Sequence, residues 1–274
     1  MSCGGFGVCF GPSFGSSFEA MVARMPEMTA LATAQHIANP IRDVGGKWML
    51  HADTLGPCKD FGYKNGFVYY VVGRGGVLGD VDADVIAAAF GFFEPQLVRL
   101  MWEGGVNVEG ARQAGHRYGA ACASFGRARV TGFTNAARYC ELAEKLIAGI
   151  SLTGLSLFAG WKAEPLPDDS QGRAYFLTHV LREWRGSAHI VGVAASGLSP
   201  LEAVLTSGGG SVNAKMFGWG EDHPDVTALA GAREHAEHTT DAICAAGLEA
   251  ALSGQERAEF AGLVTELAAS LKLD

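Results

Sequence analysis

Charge is scarce in this chain: only 18% of its 274 residues are Asp, Glu, Lys or Arg, too few for a solvated, disordered polyelectrolyte. A dense basic run is missing altogether. From Glu221 to Asp274, eleven acids face three bases (Arg233, Arg257 and Lys272), so that stretch holds the entire net charge of −8. Binding to a phosphate backbone needs a basic stripe, and nucleic acid is therefore not an expected partner. The six cysteines (Cys3, Cys9, Cys58, Cys122, Cys140 and Cys244) form no CxxC pair and no disulfide framework, which points to free thiols in a reducing, cytoplasmic setting. Long apolar runs are lacking too. The uncharged stretch Leu146 to Trp161 is broken by Gly149, Gly154 and Gly160 and falls short of the roughly 20 residues a spanning helix needs. Residues 1–18 have neither the basic start nor the solid apolar centre of a secretory signal. No membrane association is expected.

Cofactor motifs are equally sparse. Gly73, Gly75, Gly76 and Gly79 approach a dinucleotide fingerprint, but Leu78 occupies the position that must be glycine. Gly11-Pro12-Ser13-Phe14-Gly15 matches GxSxG without the parallel sheet that gives a nucleophile elbow its meaning. Glu234, His235, Glu237, His238 and Asp241 share one helical pattern, yet HExxH and a distant third ligand are both absent. An exposed acidic helix explains them more simply, so neither a metal nor another cofactor is expected.

What the chain does have is apolar residues (48%) and 38 glycines, enough for a large core with close helix contacts. A Gly/Ser-rich tail covers residues 1–18. Helical spacing follows over Phe18 to Ile37 with Pro26 as a kink or a boundary, and Asn39-Pro40 reads as a cap with proline in the first turn. Gly66 to Val72 fits a strand by its β-branched and aromatic content and a helix by its flanks; a Gly-rich turn, Gly73 to Gly76, is expected after it. Helices are expected from Asp82 through Phe90, from Pro95, over 108–127, over 134–150, from Ser199-Pro200, over 224–247 and around Phe260, Leu263, Val264 and Leu267. The stretch from Lys162 to Gly172, with two prolines and adjacent acids, is the best linker. It divides an N-terminal helical part (19–163) from a C-terminal helical part (164–274).

The most informative run is Arg182-Glu183-Trp184-Arg185-Gly186-Ser187-Ala188-His189. On a helical wheel His179, Arg182, Gly186 and His189 share one face, while Phe176, Val180, Trp184 and Val191 take the other. Such a polar face either lines a cavity or is solvated. Arg42-Asp43, beside Gly45-Gly46, either orients a substrate or caps locally. Arg74 is either part of an anion nest or a solvated loop residue. His51, Asp53, His116 and Arg117 are isolated polar residues that reach a cleft or the solvent.

Two long stretches, YYVVGRGGVLGDVDADVIAAAFGFFEPQLVR and FLTHVLREWRGSAHIVGVAASGLSPLEAVL with the following FGWGEDHPDV, resemble the SalK-like actinobacterial proteins. With Asn39 to Arg42 and the last two helices, the likeness covers most of residues 30–274. It implies a mostly helical, helix-turn-helix-related fold and a place in natural-product gene clusters. Where that family carries a segment close to REHRGDGH, this chain has Trp184 for the first His, Ser187 for the Asp and Ala188 for the second Gly, so the carboxylate that would balance the arginines is missing. The family usually has a histidine near Arg42. A wing after Trp219 is absent as well, which argues against DNA readout.

The expected fold is mostly α, a two-part helical bundle whose C-terminal part is a degenerate winged helix without a clear wing. The expected function is that of a small-molecule enzyme of secondary metabolism, likened to a cyclase: Arg42, Asp43 and His189 are catalytic, and Arg74, Arg182, Trp184 and His51 bind an anionic substrate for ring closure, elimination or isomerisation without a cofactor. The alternative is a non-catalytic ligand-binding regulator or partner subunit. Close packing favours a homo- or hetero-oligomer.

Overall fold

A computed structural model describes residues 27–273. Among them are thirteen α-helices and no β-strand; one isolated bridge pairs Val130 with Leu271. The mostly-α class is observed. The tail over 1–18, the start of the Phe18 helix and the Gly11–Gly15 motif lie outside the described residues.

Helix α1 spans Ala30–Gly46, and its cap is Thr29, which accepts a 3.2 Å hydrogen bond from the Ala32 N–H. Asn39-Pro40 is therefore no helix start, since Pro40 lies inside α1. An interior proline costs about 3 kcal/mol, and the buried face of Ile37, Ile41 and Val44 offsets it. A short α2 (Ala52–Leu55) runs into a 3-10 turn, and α3 spans Gly66–Gly76.

Helix α3 resolves the strand-or-helix ambiguity and corrects the glycine turn. Asn65 caps it by accepting from the Phe67 and Val68 N–H groups, and the helix continues through Gly76. The glycines serve contact with α6 (Ala111–Arg129): a Cβ on Gly76 would sit 2.1 Å from the Ala111 carbonyl oxygen, and one on Gly73 would sit 2.6 Å from Tyr118. No anion nest forms at Arg74, because its backbone amides are inside a helix.

Helices α4 (Ala83–Phe90) and α5 (Pro95–Glu103) are joined by a four-residue turn in which Gly91 takes φ 66°, a conformation that favours glycine. After α6 come α7 (Ala136–Gly149) and α8 (Ser156–Lys162). The proline-containing stretch is the loop between α8 and α9 (Ser170–Ala195), whose Asp169 cap accepts from the Gly172 N–H at 2.7 Å. Helices α10 (Pro200–Leu205) and α11 (Gly210–Met216) form a second short pair, the former opened by a reciprocal Ser199–Glu202 capping box. The chain then passes to α12 (Ala230–Ala251) and α13 (Gly254–Ser270) with no wing between.

Helix α9 is the axis of the molecule. It packs on α1, α6, α7, α8 and α12, and one apolar core extends from Ala30 in α1 to Leu267 in α13, across residue 164. Trp48, Trp161, Phe158 and Phe176 are fully buried in this core, each contributing roughly 1.5–3 kcal/mol or more. Among the described residues no helix is long and apolar enough to cross a membrane.

Candidate functional site

Because α9 is enclosed on most sides, leaving its polar residues unpaired is costly, and the buried Nε2 of His179 and Nε of Arg182 have no hydrogen-bond partner. Glu183, fully buried, accepts two hydrogen bonds from Arg74, at 3.0 and 2.9 Å, and a third from Arg182 at 2.6 Å. Arg74 also donates to the Tyr70 hydroxyl at 3.2 Å and lies over the Phe90 ring. Burial opposes ionisation of Glu183, yet the two guanidinium groups hold its carboxyl well below the usual range. The balancing carboxylate is thus present one residue after Arg182, not at position 187. Arg74 and Arg182 meet on Glu183, and neither is among the residues lining the hollow that contains Arg42 and His189.

One turn earlier, His179 is fully buried, its ring nearly perpendicular to those of Trp48 and Trp161. Its Nδ1 donates to the Gly45 carbonyl at 3.2 Å, and burial pushes its pKa down to about 3. Trp184 points elsewhere, into an apolar hollow of about 350 Å³ against Gly247 of α12. His51 accepts from the Asp53 N–H at the start of α2 and packs its edge on Phe125. These residues do not meet the polar hollow.

That hollow, of about 450 Å³, lies among α1, α9, α12 and the two short helix pairs. Arg42 and Arg233 supply cations, His189, Asn213 and Ser207 supply polar groups, Gly208 leaves backbone uncovered, and Phe92 and Phe217 provide the apolar wall. Arg42 also holds Asp43 at 2.9 Å on the exposed side of α1. Arg233 is braced by the Ala203 carbonyl at 3.1 Å and by Glu237. Glu237 in turn receives Arg185 at 3.4 Å and stands 4.0 Å from the Nε2 of His189. Asp43 and Glu237, the carboxylates paired with these two arginines, are not among the lining residues, so the hollow is faced by the guanidinium groups and not by their counter-charges.

The tautomer of His189 follows from its neighbour. The Thr240 hydroxyl donates to the Ala236 carbonyl at 2.7 Å, so its oxygen accepts from His189 Nδ1 at 3.0 Å, leaving Nε2 with a lone pair. Burial pushes the imidazole pKa down to about 4, helped by Arg233 and Arg185 and opposed by Glu237. At neutral pH His189 is an uncharged acceptor.

Two helix–turn–helix units frame the hollow. In the first, α4 and α5 are tied by an ion pair between Arg99 and Asp84. The second comprises α10, the turn 206–209 and α11. A backbone bond from Glu94 N–H to the Phe217 carbonyl (2.9 Å), a Trp219 bond to the Phe92 carbonyl (2.9 Å) and the Phe93–Phe217 ring contact (4.5 Å) clamp one unit to the other. The sequence matches the helix-turn-helix family over residues 34–226. This chain belongs to the helix-turn-helix family. No curated protein and no solved structure matches it.

In this helix-turn-helix protein the second helix of each unit carries a single cation. Arg99 is paired with Asp84, Lys215 has Glu221 at 3.7 Å, and the outward residues include Leu100, Val212 and Met216. The matched span ends before α12, which supplies Arg233, Glu237 and Thr240. Sequence reasoning weighed Glu237 only as a metal ligand and missed Arg233 and Thr240, together with Phe92, Asn213 and Phe217. The signal for Arg233 was its i,i+4 spacing to Glu237, which marks a braced cation. Among the described residues no group of three or more His, Cys, Asp or Glu is placed to hold a metal ion.

Proposed function

We propose that this helix-turn-helix protein acts on a small organic anion seated between its two helix–turn–helix units. The observation that carries this reading is the lining: two arginines and a neutral imidazole, two aromatic rings and no carboxylate around about 450 Å³, a volume in the range of metabolite sites. The resemblance to SalK-like proteins of natural-product clusters favours an enzyme of secondary metabolism, performing ring closure, elimination or isomerisation without a cofactor. In that role Arg42 and Arg233 stabilise negative charge that grows on the substrate. His189, with a pKa of about 4, is a weak base near neutrality and orients a hydroxyl or N–H of the substrate through Nε2. Asp43 keeps Arg42 aligned from outside the lining. Rate enhancement then rests on electrostatic stabilisation more than on proton removal.

The family assignment favours a second reading, a ligand-binding regulator. With a single cation on each second helix, these helices offer little grip on a phosphate backbone. Phenylpyruvate tests both readings, since it is anionic, aromatic and enolisable. Under the enzyme reading, calorimetry shows saturable binding and NMR in D2O shows faster exchange of its C3 protons, both lost in the double variant Arg42→Met/Arg233→Met. Binding without exchange, together with salt-dependent retention of duplex DNA, supports the regulator. Absence of binding refutes the hollow as the site.

A further inference from the structure

A second hollow, of about 360 Å³, is walled by α6, the front of α9 and the loop that joins α8 to α9. It shares no lining residue with the first. Its floor is a face of α6: His116, Ala120, Ala123 and Arg127 recur at i, i+4, i+7 and i+11, so small residues separate an imidazole from a guanidinium on one side of the helix. Phe176 and Leu166 close the apolar side.

The chemical feature is an imidazole oriented by a buried carboxylate. Glu164 has only 4% of its side chain exposed, while His116 has 47%, and His116 Nδ1 lies 2.5 Å from Glu164 Oε2. A carboxylate only accepts, so the bond fixes the proton on Nδ1 and leaves Nε2 as the nitrogen open to a ligand. The loop spends a buried acid on holding one ring, although a half-exposed histidine has water available and needs no such partner for solvation. At the other end, Arg127, also part of the lining, donates Nε to Asp169 at 2.6 Å, which sets the plane of the guanidinium. Eleven residues separate the two groups, about 16 Å along the helix axis, so a molecule touching both is elongated.

We propose that this hollow is a second small-molecule site, specific for an elongated organic acid with an apolar body and a hydroxyl at the far end. The carboxylate sits on Arg127, the body lies against Phe176 over Ala120 and Ala123, and the hydroxyl meets His116 Nε2. A hydroxyl both donates and accepts, which suits that nitrogen in either protonation state.

The test uses the full chain and two probes, 3-(4-hydroxyphenyl)propionate and 3-phenylpropionate, which differ only in the hydroxyl. Nitrogen NMR of the imidazole reads the His116 tautomer, expected as Nδ1–H. Amide shifts at Ala120 and Ala123 report binding, with the hydroxylated acid about five- to tenfold tighter, the effect of one hydrogen bond. His116→Asn keeps a donor for Glu164 but lacks Nε2, so it abolishes the preference while leaving 3-phenylpropionate unchanged. Glu164→Gln, whose amide can accept from or donate to Nδ1, no longer fixes the ring proton, so nitrogen NMR shows a mixture of tautomers in place of Nδ1–H alone. Arg127→Gln weakens both acids, whereas Arg42→Met/Arg233→Met affects neither at this hollow. The ratio of two affinities on one variant is insensitive to partial unfolding. An Nε2–H tautomer in the parent protein, equal affinities for the two acids, or a ratio unmoved by His116→Asn overturns the proposal.

Discussion

Replacing Glu183 by glutamine removes the one negative charge that Arg74 faces inside the core. Both are almost inaccessible, with 7% and 1% of their side chains exposed, so water cannot take over the solvation of the guanidinium. Glutamine still offers a carbonyl to one of the two Arg74 donors, but its amide turns a donor toward the other. Breaking a buried pair from one side typically costs about 3–5 kcal/mol, and Arg182 loses its 2.6 Å acceptor as well. With a urea slope of roughly 2–3 kcal/mol per molar, the unfolding midpoint falls by about 1–2 M. Urea titration followed by helical circular dichroism and by tryptophan fluorescence measures this. The double variant Arg74→Met/Glu183→Leu removes both charges at similar volume and is expected to recover most of the loss, giving a coupling of at least about 2 kcal/mol. A Glu183→Gln variant within about 1 kcal/mol of the parent, or a double variant worse than the sum of its parts, refutes the argument that these arginines are core groups neutralised by Glu183.

Acid sensitivity follows from the buried imidazoles. Relative to the ordinary value of 6.5, His179 titrates at about 3 and His189 at about 4 in the folded protein. Their contribution is complete above pH 6.5 and is lost as the pH falls toward 4 and 3, because the unfolded chain binds protons first. By pH 5 each accounts for about 2 kcal/mol; His179→Asn, which still donates to Gly45, should remove close to half of that pH dependence, and an unchanged dependence contradicts the assignment. Glycine substitutions should split by their surroundings. Gly76→Ala meets the Ala111 carbonyl at 2.1 Å and should cost about 3 kcal/mol or more, whereas Gly186→Ala, with nothing within 4 Å, should gain roughly 0.5–1 kcal/mol in thermal or urea melts.

Helix positions were legible where local chemistry determines them: Asp82, Pro95 and the Ser199-Pro200 start all mark observed ends. Boundaries failed where tertiary contact overrode local preference. Pro40 resembled a first-turn proline because Asn39 is a good cap, but Thr29 had already opened the helix and burial of Ile37 and Ile41 carried it through. The glycines of α3 resembled a turn because a sequence cannot show that Ala111 and Tyr118 press against them. Of the candidate residues, Arg42 and His189 line one hollow. Arg74 and Arg182 were misread because Glu183, adjacent to Arg182, passed as an ordinary helix acid; only the fold brings Arg74, 109 residues earlier, onto it. Arg233 stayed hidden inside a segment whose acidity dominated its character.

Phe92 belongs to the lining of two neighbouring cavities, the polar one beside His189 and an apolar one beside Ile190 and Val193, while its carbonyl is pinned by Trp219. With the backbone fixed there, any adjustment of this ring to an occupant must come from its side-chain bonds. A ligand that displaces the ring in the polar chamber is therefore expected to reshape the apolar one as well.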